Sequence, residues 1–408
     1  MMNPYIAKSL AIAISFFLGA ANLLLAQSKI SPFEKYPFTR WAQEGKRTQI
    51  PWKIHVNSVG LSMHQRLQAH VEVKLDGREV VKRTGRGELL VFLEIQDAAG
   101  KAFQNDSLLD LHDLKPDIDK QDITISWTAF ILPGNYQVKL ALYCSGTEER
   151  NFDVHPFHVN SVHEADMASE WEHLPSVEYW GTVDTPDSFF VPAVDGKLNL
   201  LAGNPGHKTD IDILVNVTNP KAEKQAVLVP ILKTFSQVTV QQGHMNITTF
   251  DLVHHQENPL QENAHPLDWA KLKDIFHQTD ASVINVKDLQ DRDQAASFFR
   301  EEVYRHVAAA AEGPQDTAHV IVIIGGPQYF INQADWKSIV LRPSANTTVY
   351  YVRFAWMVPS PKRRVMVDIS HDDVPKLLSP LKLHVFTIYN PMDLHKALAS
   401  ILHDTAVM

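Results

Sequence analysis

Apolar and polar residues alternate over a long early stretch of the chain, and this period of two predicts strands. Trp52, Ile54 and Val56 alternate with Lys53 and His55, and Leu67, Ala69, Val71, Val73 and Leu75 alternate with Gln68, His70, Glu72 and Lys74. Leu89 to Ile95 is a more continuous apolar run. Turn formers separate the runs: Asp76-Gly77, Ala99-Gly100-Lys101, and Pro133-Gly134-Asn135 leading into Tyr136, Val138, Leu140 and Leu142. Short strands with turns and no helical stretch between them predict an antiparallel β-sandwich of immunoglobulin-like type over residues 51–160. Residues 27–50 mix Pro32, Pro37, aromatic residues and charges, and are expected to form an extended lead-in lying on that domain. Residues 161–207 hold no sustained period but carry Trp171 and Trp180 with several prolines, which suits a connector packed against a domain.

From residue 208 to 405 the pattern changes. Continuous apolar strands are expected at Ile211 to Val217, Met245 to Leu252, His319 to Ile324, Thr347 to Phe354 and Leu381 to Ile388. Helices are expected at Val229 to Val238, Leu267 to Phe276, Asp291 to Ala311 and Met392 to Leu402, the third with Ala295, Phe299, Val303 and Val307 near helical spacing. Apolar strands alternating with helices predict an α/β doubly wound domain with a mostly parallel sheet covered on both faces. The chain is therefore expected to be multidomain, a sandwich followed by an α/β layer structure.

The N-terminus adds a destination. Lys8 precedes an apolar run from Leu10 to Leu25, followed by Ala26, Gln27 and Ser28, the parts of a signal peptide cleaved after Ala26. Leu24 is larger than the small residue preferred before such a site, so retention of the leader as a membrane anchor stays open, and only then is a membrane a partner. The formal charge of -9 argues against nucleic acid as a partner, since no basic stripe supplies phosphate contacts. Lys362-Arg363-Arg364 is the densest basic patch and is expected to be a solvated loop. One cysteine, Cys144, excludes an internal disulfide framework and suits a buried position in a strand, and an exported chain so poor in cysteine fits a bacterial envelope.

The order of elements in the second half, with the stretch Ile211-Asp212-Ile213-Leu214-Val215-Asn216-Val217-Thr218-Asn219, resembles a von Willebrand factor A domain, whose first strand ends at a metal site. The whole chain looks like the exported bacterial proteins called von Willebrand factor A-related. The metal-competent family pattern is D-x-S-x-S, because a hard divalent cation wants a carboxylate and two hydroxyl oxygens converging from one tight loop. Here those positions read Asn216, Thr218 and Pro220. The family's later aspartate falls near Gly325-Gly326-Pro327 and is missing as well. With no anionic ligand in either loop, neither a metal nor another cofactor is expected.

Other constellations carry less. Gly325-Gly326-Pro327 after an apolar strand could cradle an anion but lacks the lysine and hydroxyl of a phosphate loop. His254-His255 with Glu257, and His371 with Asp372 and Asp373, lack the i, i+4 histidine spacing of a zinc helix. Asp110, Asp113, Asp117, Asp119 and Asp122 crowd one stretch without the glycine of a calcium loop, so an acidic surface loop is expected. No G-x-S-x-G elbow occurs. The sequence thus points to a non-catalytic protein-binding or assembly module of the bacterial envelope with an unknown protein partner. Its expected contact rim is formed by Asn216, Thr218, Asn219, Gly325, Gly326 and Gln328 at the strand ends. The alternative is an envelope hydrolase whose catalytic residues are scattered along the chain.

Overall fold

A computed structural model describes residues 31–112, 114, 116–162, 167, 169–180, 194–218, 221–263, 265–281, 294–314, 316–330, 343–359 and 364–408. The leader lies outside these residues. Among the described residues no helix is long and apolar enough to cross a membrane.

The first half consists of β1 (Trp52–Leu61), β2 (Leu67–Asp76), β3 (Glu88–Asp97), β4 (Ala102–Asp110), β5 (Asp122–Ile131), β6 (Gly134–Cys144) and β7 (Arg150–Val159), with the short β8 (Val177–Tyr179). They form two antiparallel sheets, ordered β1-β2-β5-β8 and β4-β3-β6-β7. The period-two pattern is the cause: Leu67, Ala69, Val71, Val73 and Leu75 are buried on one face of β2, and the residues between them are half-buried. They join one core with Leu89, Val91, Leu93 and Ile95 of β3 and Leu140, Leu142 and Cys144 of β6.

The outer face of β3 is covered too, which is why the run from Leu89 to Ile95 is continuous rather than alternating. Leu90 and Phe92 pack with Ala141, Phe152, Phe38 and Trp41 in a separate cluster. The lead-in that supplies Phe38 and Trp41 is helical at Pro32–Lys35 and Phe38–Glu44, not extended as the mixed composition suggested. Ser31 caps the first of these helices by accepting from the Phe33 N–H, and Pro32 takes the first helical turn, where its missing donor does no harm. Asn151 fastens the end of the lead-in: its Oδ1 accepts from the backbone of Gln49 (2.7 Å) and Ile50 (2.9 Å), and its Nδ2 donates to Ile50 O (2.6 Å).

The acidic stretch proves to be built into the sandwich at its ends rather than being one loop. Asp110 closes β4, Asp122 opens β5, and a 3-10 turn at Pro116–Lys120 lies between. The connector likewise contributes structure: β8 pairs with β5, and Trp171 is buried with its indole donating to Gln65 O (2.9 Å).

The second half contains β9 (Leu200–Ala202), β10 (Lys208–Asn216), β11 (Val238–Val240), β12 (Gly243–Asp251), β13 (Gln256–Gln261), β14 (Thr317–Gly325), β15 (Thr347–Phe354), β16 (Met357–Pro359), β17 (Arg364–Met366) and β18 (His384–Ile388). Six form one sheet in the order β13-β12-β10-β14-β15-β18, parallel throughout except for β13 at one edge. Counted along the chain this is third, second, first, fourth, fifth, sixth, the doubly wound order, and its switch point falls between β10 and β14. Ile211, Ile213 and Val215 share a core with Leu228, Ile231, Leu232, Leu394 and Ile401, and Leu214, Ile321 and Ile323 face Phe299, Val303 and Val307 on the other side. Both faces of the sheet are therefore covered by helices, as a nearly all-parallel sheet requires.

Several boundaries differ from the sequence expectation. The helix placed at Val229 to Val238 runs Ala222–Phe235 and carries Pro230 inside it, while Val238 opens β11. The packing of Leu228, Val229, Ile231, Leu232 and Phe235 holds the helix through Pro230. The last strand starts at His384 because Ser379–Leu381 is a 3-10 turn ended by left-handed Lys382 (φ 52°). The helix expected at Asp291 to Ala311 is described over Gln294–Glu312, and residues 291–293 lie outside the described residues. The final helix begins with a capping box, Asn390 and Asp393 each accepting the other's backbone N–H, with Pro391 at the first position.

The two halves meet at the β1–β2 hairpin loop. Ser62, His64, Gln65 and Arg66 are all buried, although polar hairpin tips ordinarily face water. The loop closes on itself through Ser62 N to Arg66 O (2.9 Å) and Gln65 N to Ser62 O (2.9 Å). It plugs into the α/β half, where Gln65 Nε2 donates to Pro391 O (3.0 Å) and Thr234 Oγ1 donates to Met63 O (2.9 Å).

Candidate functional site

Ligands in open α/β sheets bind beyond the carboxyl ends of the strands at the switch point, which here is where β10 and β14 end. Asn216 closes β10, and its Oδ1 accepts from the Thr218 N–H (2.9 Å). Thr218 Oγ1 in turn accepts from Leu252 N (2.7 Å). Both side chains that would face a metal are thus engaged in shaping the loop. Lys224, from the first turn of the helix Ala222–Phe235, is buried and donates its Nζ to Thr218 O (2.5 Å). The lysine is stacked 5.9 Å over the Trp356 ring. Burial lowers its pKa to about 8, with the Asp251 carboxylate acting in the opposite direction. A protonated amine in the loop that holds the cation in the resembled family repels a second cation.

The other wall is equally filled. A Cβ on Gly325 would lie 3.0 Å from Asn216 Cβ, and one on Gly326 would lie 2.4 Å from the Trp356 ring. Gly326 O accepts from Tyr351 Oη (3.2 Å) and Gln328 Nε2 (3.1 Å). Gln328 N donates to Asp372 Oδ1 (3.0 Å), and the Arg353 guanidinium lies 3.5 Å from the same carboxylate. Burial, and then the charge of Asp372, raise the Tyr351 pKa well above its ordinary value. Glycine at 325 and 326 therefore permits close packing rather than an anion cradle.

Of the six rim residues, Asn216 and Gly325 touch, Gly326 and Gln328 are linked, and Thr218 joins them through Asn216. Asn216, Gly325 and Gly326 are buried, Thr218 and Gln328 half-buried, and Asn219 lies outside the described residues, as does Pro220. The solvent-facing surface at this end comes instead from neighbours. Tyr329 is 72 % exposed and Met357 48 %, and Val365, Met366 and Tyr389 are exposed as well. Met357 pairs with Met366 and Val358 with Val365 in the β16–β17 hairpin, which follows β15 directly. Ala355 N bonds to Ile388 O (3.0 Å), setting Tyr389 beside the start of this hairpin. In the basic run once expected to be a solvated loop, Arg364 opens β17, and Lys362 and Arg363 lie outside the described residues.

The weaker histidine candidates have local roles. His254 Nδ1 bonds to Asp251 Oδ2 (2.5 Å), and Glu257 pairs with Arg305. His371 is exposed beside Ser370, while Asp372 and Asp373 accept from Gln328 N and Phe330 N. Among the described residues no three His, Cys, Asp or Glu side chains converge as metal ligands.

A second site lies at the junction of the two halves and was not read from the sequence. A cavity of ≈ 140 Å³ is lined by His64, Arg66 and Phe130 of the sandwich, by Val194, Gly196 and Lys197 of the connector, and by Lys233, Leu267 and Trp269 of the α/β half, among others. Arg66 donates to Glu178 Oε2 (2.7 Å), and its guanidinium lies 4.7 Å over the Phe130 ring. Burial, reinforced by the positive charges of Lys233 and Arg66, lowers the His64 pKa to about 3. Burial also lowers Lys233 to about 8. The hairpin tip Met63-His64-Gln65-Arg66 reads as solvent-facing in any hydropathy pattern. Only its insertion between the two halves makes these residues a site.

No protein-family model matches the sequence, and no curated protein does. Similar solved structures include the ArnB paralog VWA2 from Sulfolobus acidocaldarius, at 9 % identity over 65 % of this chain and 49 % of that one, TM-score 0.29. An aerotolerance-related membrane protein from Bacteroides fragilis is 9 % identical over 48 % of this chain and 99 % of that one, TM-score 0.26. A family 123 glycoside hydrolase from Clostridium perfringens is 6 % identical over 83 % and 72 %, TM-score 0.21. The chain spans about half the length of the Sulfolobus protein. Scores this low leave the fold assignment to the strand order itself.

Proposed function

We propose that the chain is an exported, non-catalytic binding or assembly module of a bacterial envelope, and that its α/β half is a von Willebrand factor A-like domain whose metal site has been replaced by internal contacts. It docks a protein partner through the surface beside that filled site. The observation that carries this reading is the exposed apolar set Tyr329, Met357, Val365, Met366 and Tyr389, gathered at the ligand-binding end of a doubly wound sheet. Exposed apolar side chains grouped on one surface mark interaction sites more often than isolated ones do. The leader supports export, and an unprocessed leader would add a membrane anchor. The negative net charge keeps nucleic acid out of the set of partners.

The hydrolase alternative draws on the junction cavity, where His64 and Lys233 have displaced pKa values. Its lining is cationic, however. The Glu178 carboxylate is held by Arg66 and by the N–H groups of Asp195 and Gly196 (2.9 Å each). Ser236, also in the lining, donates its hydroxyl to Lys233 O (3.1 Å). That arrangement suits binding better than general-base chemistry.

Photo-cross-linking from position 357 of the full chain in its source cells tests the proposal, with position 201, an exposed leucine of β9, as the control. One defined protein adduct from 357 and none from 201 is expected. Equal labelling from both positions, or labelling of lipid alone, would overturn it.

A further inference from the structure

Two buried side chains of the hairpin tip that line the junction cavity each keep a nitrogen without a partner. Arg66 is 3 % exposed and His64 6 %, yet Arg66 Nη2 and His64 Nε2 find no hydrogen-bond partner among the described residues. A buried polar atom left unpaired is costly, and two of them at one cavity call for an occupant. The charge of Arg66 is nonetheless answered. Its Nη1 donates to Glu178 Oε2 (2.7 Å), and the other oxygen of that carboxylate accepts from Asp195 N and Gly196 N. A Cβ on Gly196 would stand 2.6 Å from Glu178 Oε2, so the connector backbone lies directly on this ion pair. What Arg66 lacks is therefore an acceptor and not a counter-charge. The uncharged polar side chains of the lining are engaged already: Ser236 Oγ and Gln237 Nε2 donate to Lys233 O, and Gln237 Oε1 accepts from Leu198 N. Much of the remaining wall is apolar, with Phe130, Val194, Pro266, Leu267 and Trp269.

We infer that this cavity binds a small uncharged hydroxyl compound with an apolar body, its oxygen accepting from Arg66 Nη2, its hydroxyl pairing with His64 Nε2, and its body against Phe130, Leu267 and Trp269. Three features select this class. Because Glu178 already matches the guanidinium, a neutral acceptor completes Arg66 without burying a second carboxylate beside the first. A hydroxyl carries one proton and two lone pairs, so it pairs with Nε2 in either tautomer of the imidazole. Burial keeps that ring neutral, with its pKa lowered to about 3. The volume of ≈ 140 Å³ suits one ring, since a dry cavity of about 150 Å³ takes benzene, and the aromatic walls favour a flat body. Because the lining comes from the sandwich, the connector and the α/β half, an occupant also bridges both halves and stiffens their junction. This inference stands apart from the protein-docking surface, which lies at the carboxyl end of the sheet.

Calorimetric titration of the full chain with phenol tests it, with toluene, which has the same size and no hydroxyl, and with benzoate as comparisons. Phenol is expected to bind at millimolar concentration and toluene about tenfold more weakly, the difference made by a hydrogen bond to a charged group. Benzoate, which brings a second carboxylate to a guanidinium already paired, is expected to bind more weakly than phenol. Arg66→Lys keeps a cation for Glu178 and removes the second nitrogen of the fork, so the preference for phenol over toluene falls severalfold. In parallel, phenol shifts the Trp269 and His64 ring resonances of the unmodified chain, a readout that does not depend on any variant folding. No binding of phenol or toluene at millimolar concentration would mean that only water fills the cavity, and the inference fails. Equal affinity for phenol and toluene would leave an apolar cavity without a polar role, and tighter binding of benzoate would make it an anion site; either result overturns the inference. So does a preference for phenol that persists in a folded Arg66→Lys chain, or phenol binding that leaves the His64 ring unmoved.

Discussion

Lys224 and Lys233 stand on one helix about two and a half turns apart, and they define two sites built from the same parts. Each ammonium is buried, each lies 5.9 Å over a tryptophan ring, and burial lowers each pKa to about 8. At the switch-point end Lys224 donates to Thr218 O, and Gly326 admits the Trp356 ring to where a Cβ would stand 2.4 Å from it. At the junction end Lys233 borders a cavity in which Arg66 Nη2 and His64 Nε2 find no hydrogen-bond partner among the described residues. A buried charge is therefore not itself a functional sign. The two ends differ in whether the polar atoms beside the lysine find partners among the described residues.

The largest effect expected from this contrast is acid sensitivity confined to the junction. His64 has a folded pKa near 3 against an ordinary 6.5, so the unfolded chain binds more protons between those values. Stability is fully present above about pH 6.5 and falls as the pH drops toward 3, by roughly 4 kcal/mol in total. His64→Phe preserves the ring contacts with Phe130 and Trp180 and removes the titration. Denaturant unfolding at pH 7 and pH 4 should show a much smaller difference in this variant than in the parent. An unchanged difference would move the acid-sensitive element away from the junction.

Next in size is a steric test of the filled end. Gly326→Ala places a methyl group 2.4 Å from the Trp356 ring, and overpacking of this kind costs about 1–3 kcal/mol. Chemical denaturation measures it. A neutral result would show that Trp356 moves freely and that the switch-point end has room after all. A smaller loss, about 1 kcal/mol, is expected for Thr234→Val, which removes the hydroxyl that bonds Met63 O across the junction. Destabilisation much below that would show that the two halves are held by apolar contact alone.

How far these features were legible in the sequence differs between the halves. The strands of the sandwich declare themselves because one face is wet, so Leu67 to Leu75 alternate cleanly. The buried strands β10 and β14 declare themselves through the apolar runs Ile213 to Val215 and Val320 to Ile324. The edge strand β13, Gln256-Glu257-Asn258-Pro259-Leu260-Gln261, does neither: it carries a proline and mostly polar residues, which only an edge tolerates. Asn216 and Gly325 could be read at once as positions where the resembled family carries a carboxylate, since that is a statement about composition. Their consequence could not, because Lys224 reaches Thr218 only once the helix starts at Ala222 rather than Val229. The junction site was hidden for a different reason. His64 and Arg66 become buried through contacts more than a hundred residues distant, with Glu178 and Lys233, and no local period encodes such a separation.

The smallest effect anticipated is the one that most sharply divides the two ends of the helix. Asn216→Asp restores the carboxylate that the resembled metal site requires, yet it should bring no magnesium binding in a calorimetric titration. The new carboxylate can still accept from Thr218 N, and its charge lies beside the loop to which Lys224 already donates. Pairing with the ammonium raises the Lys224 pKa and neutralises the site before any cation arrives. Adding Gly325→Asp does not help, since its Cβ would press on Asn216 Cβ at 3.0 Å. Magnesium binding should appear only when Lys224→Ser accompanies Asn216→Asp, because the double variant removes the resident charge as well as restoring the ligand. Tight binding by the single variant would mean that the lysine is displaced without difficulty. The two ends of the helix would then differ in occupancy alone, and the filled end would have to be regarded as a metal site lacking one ligand.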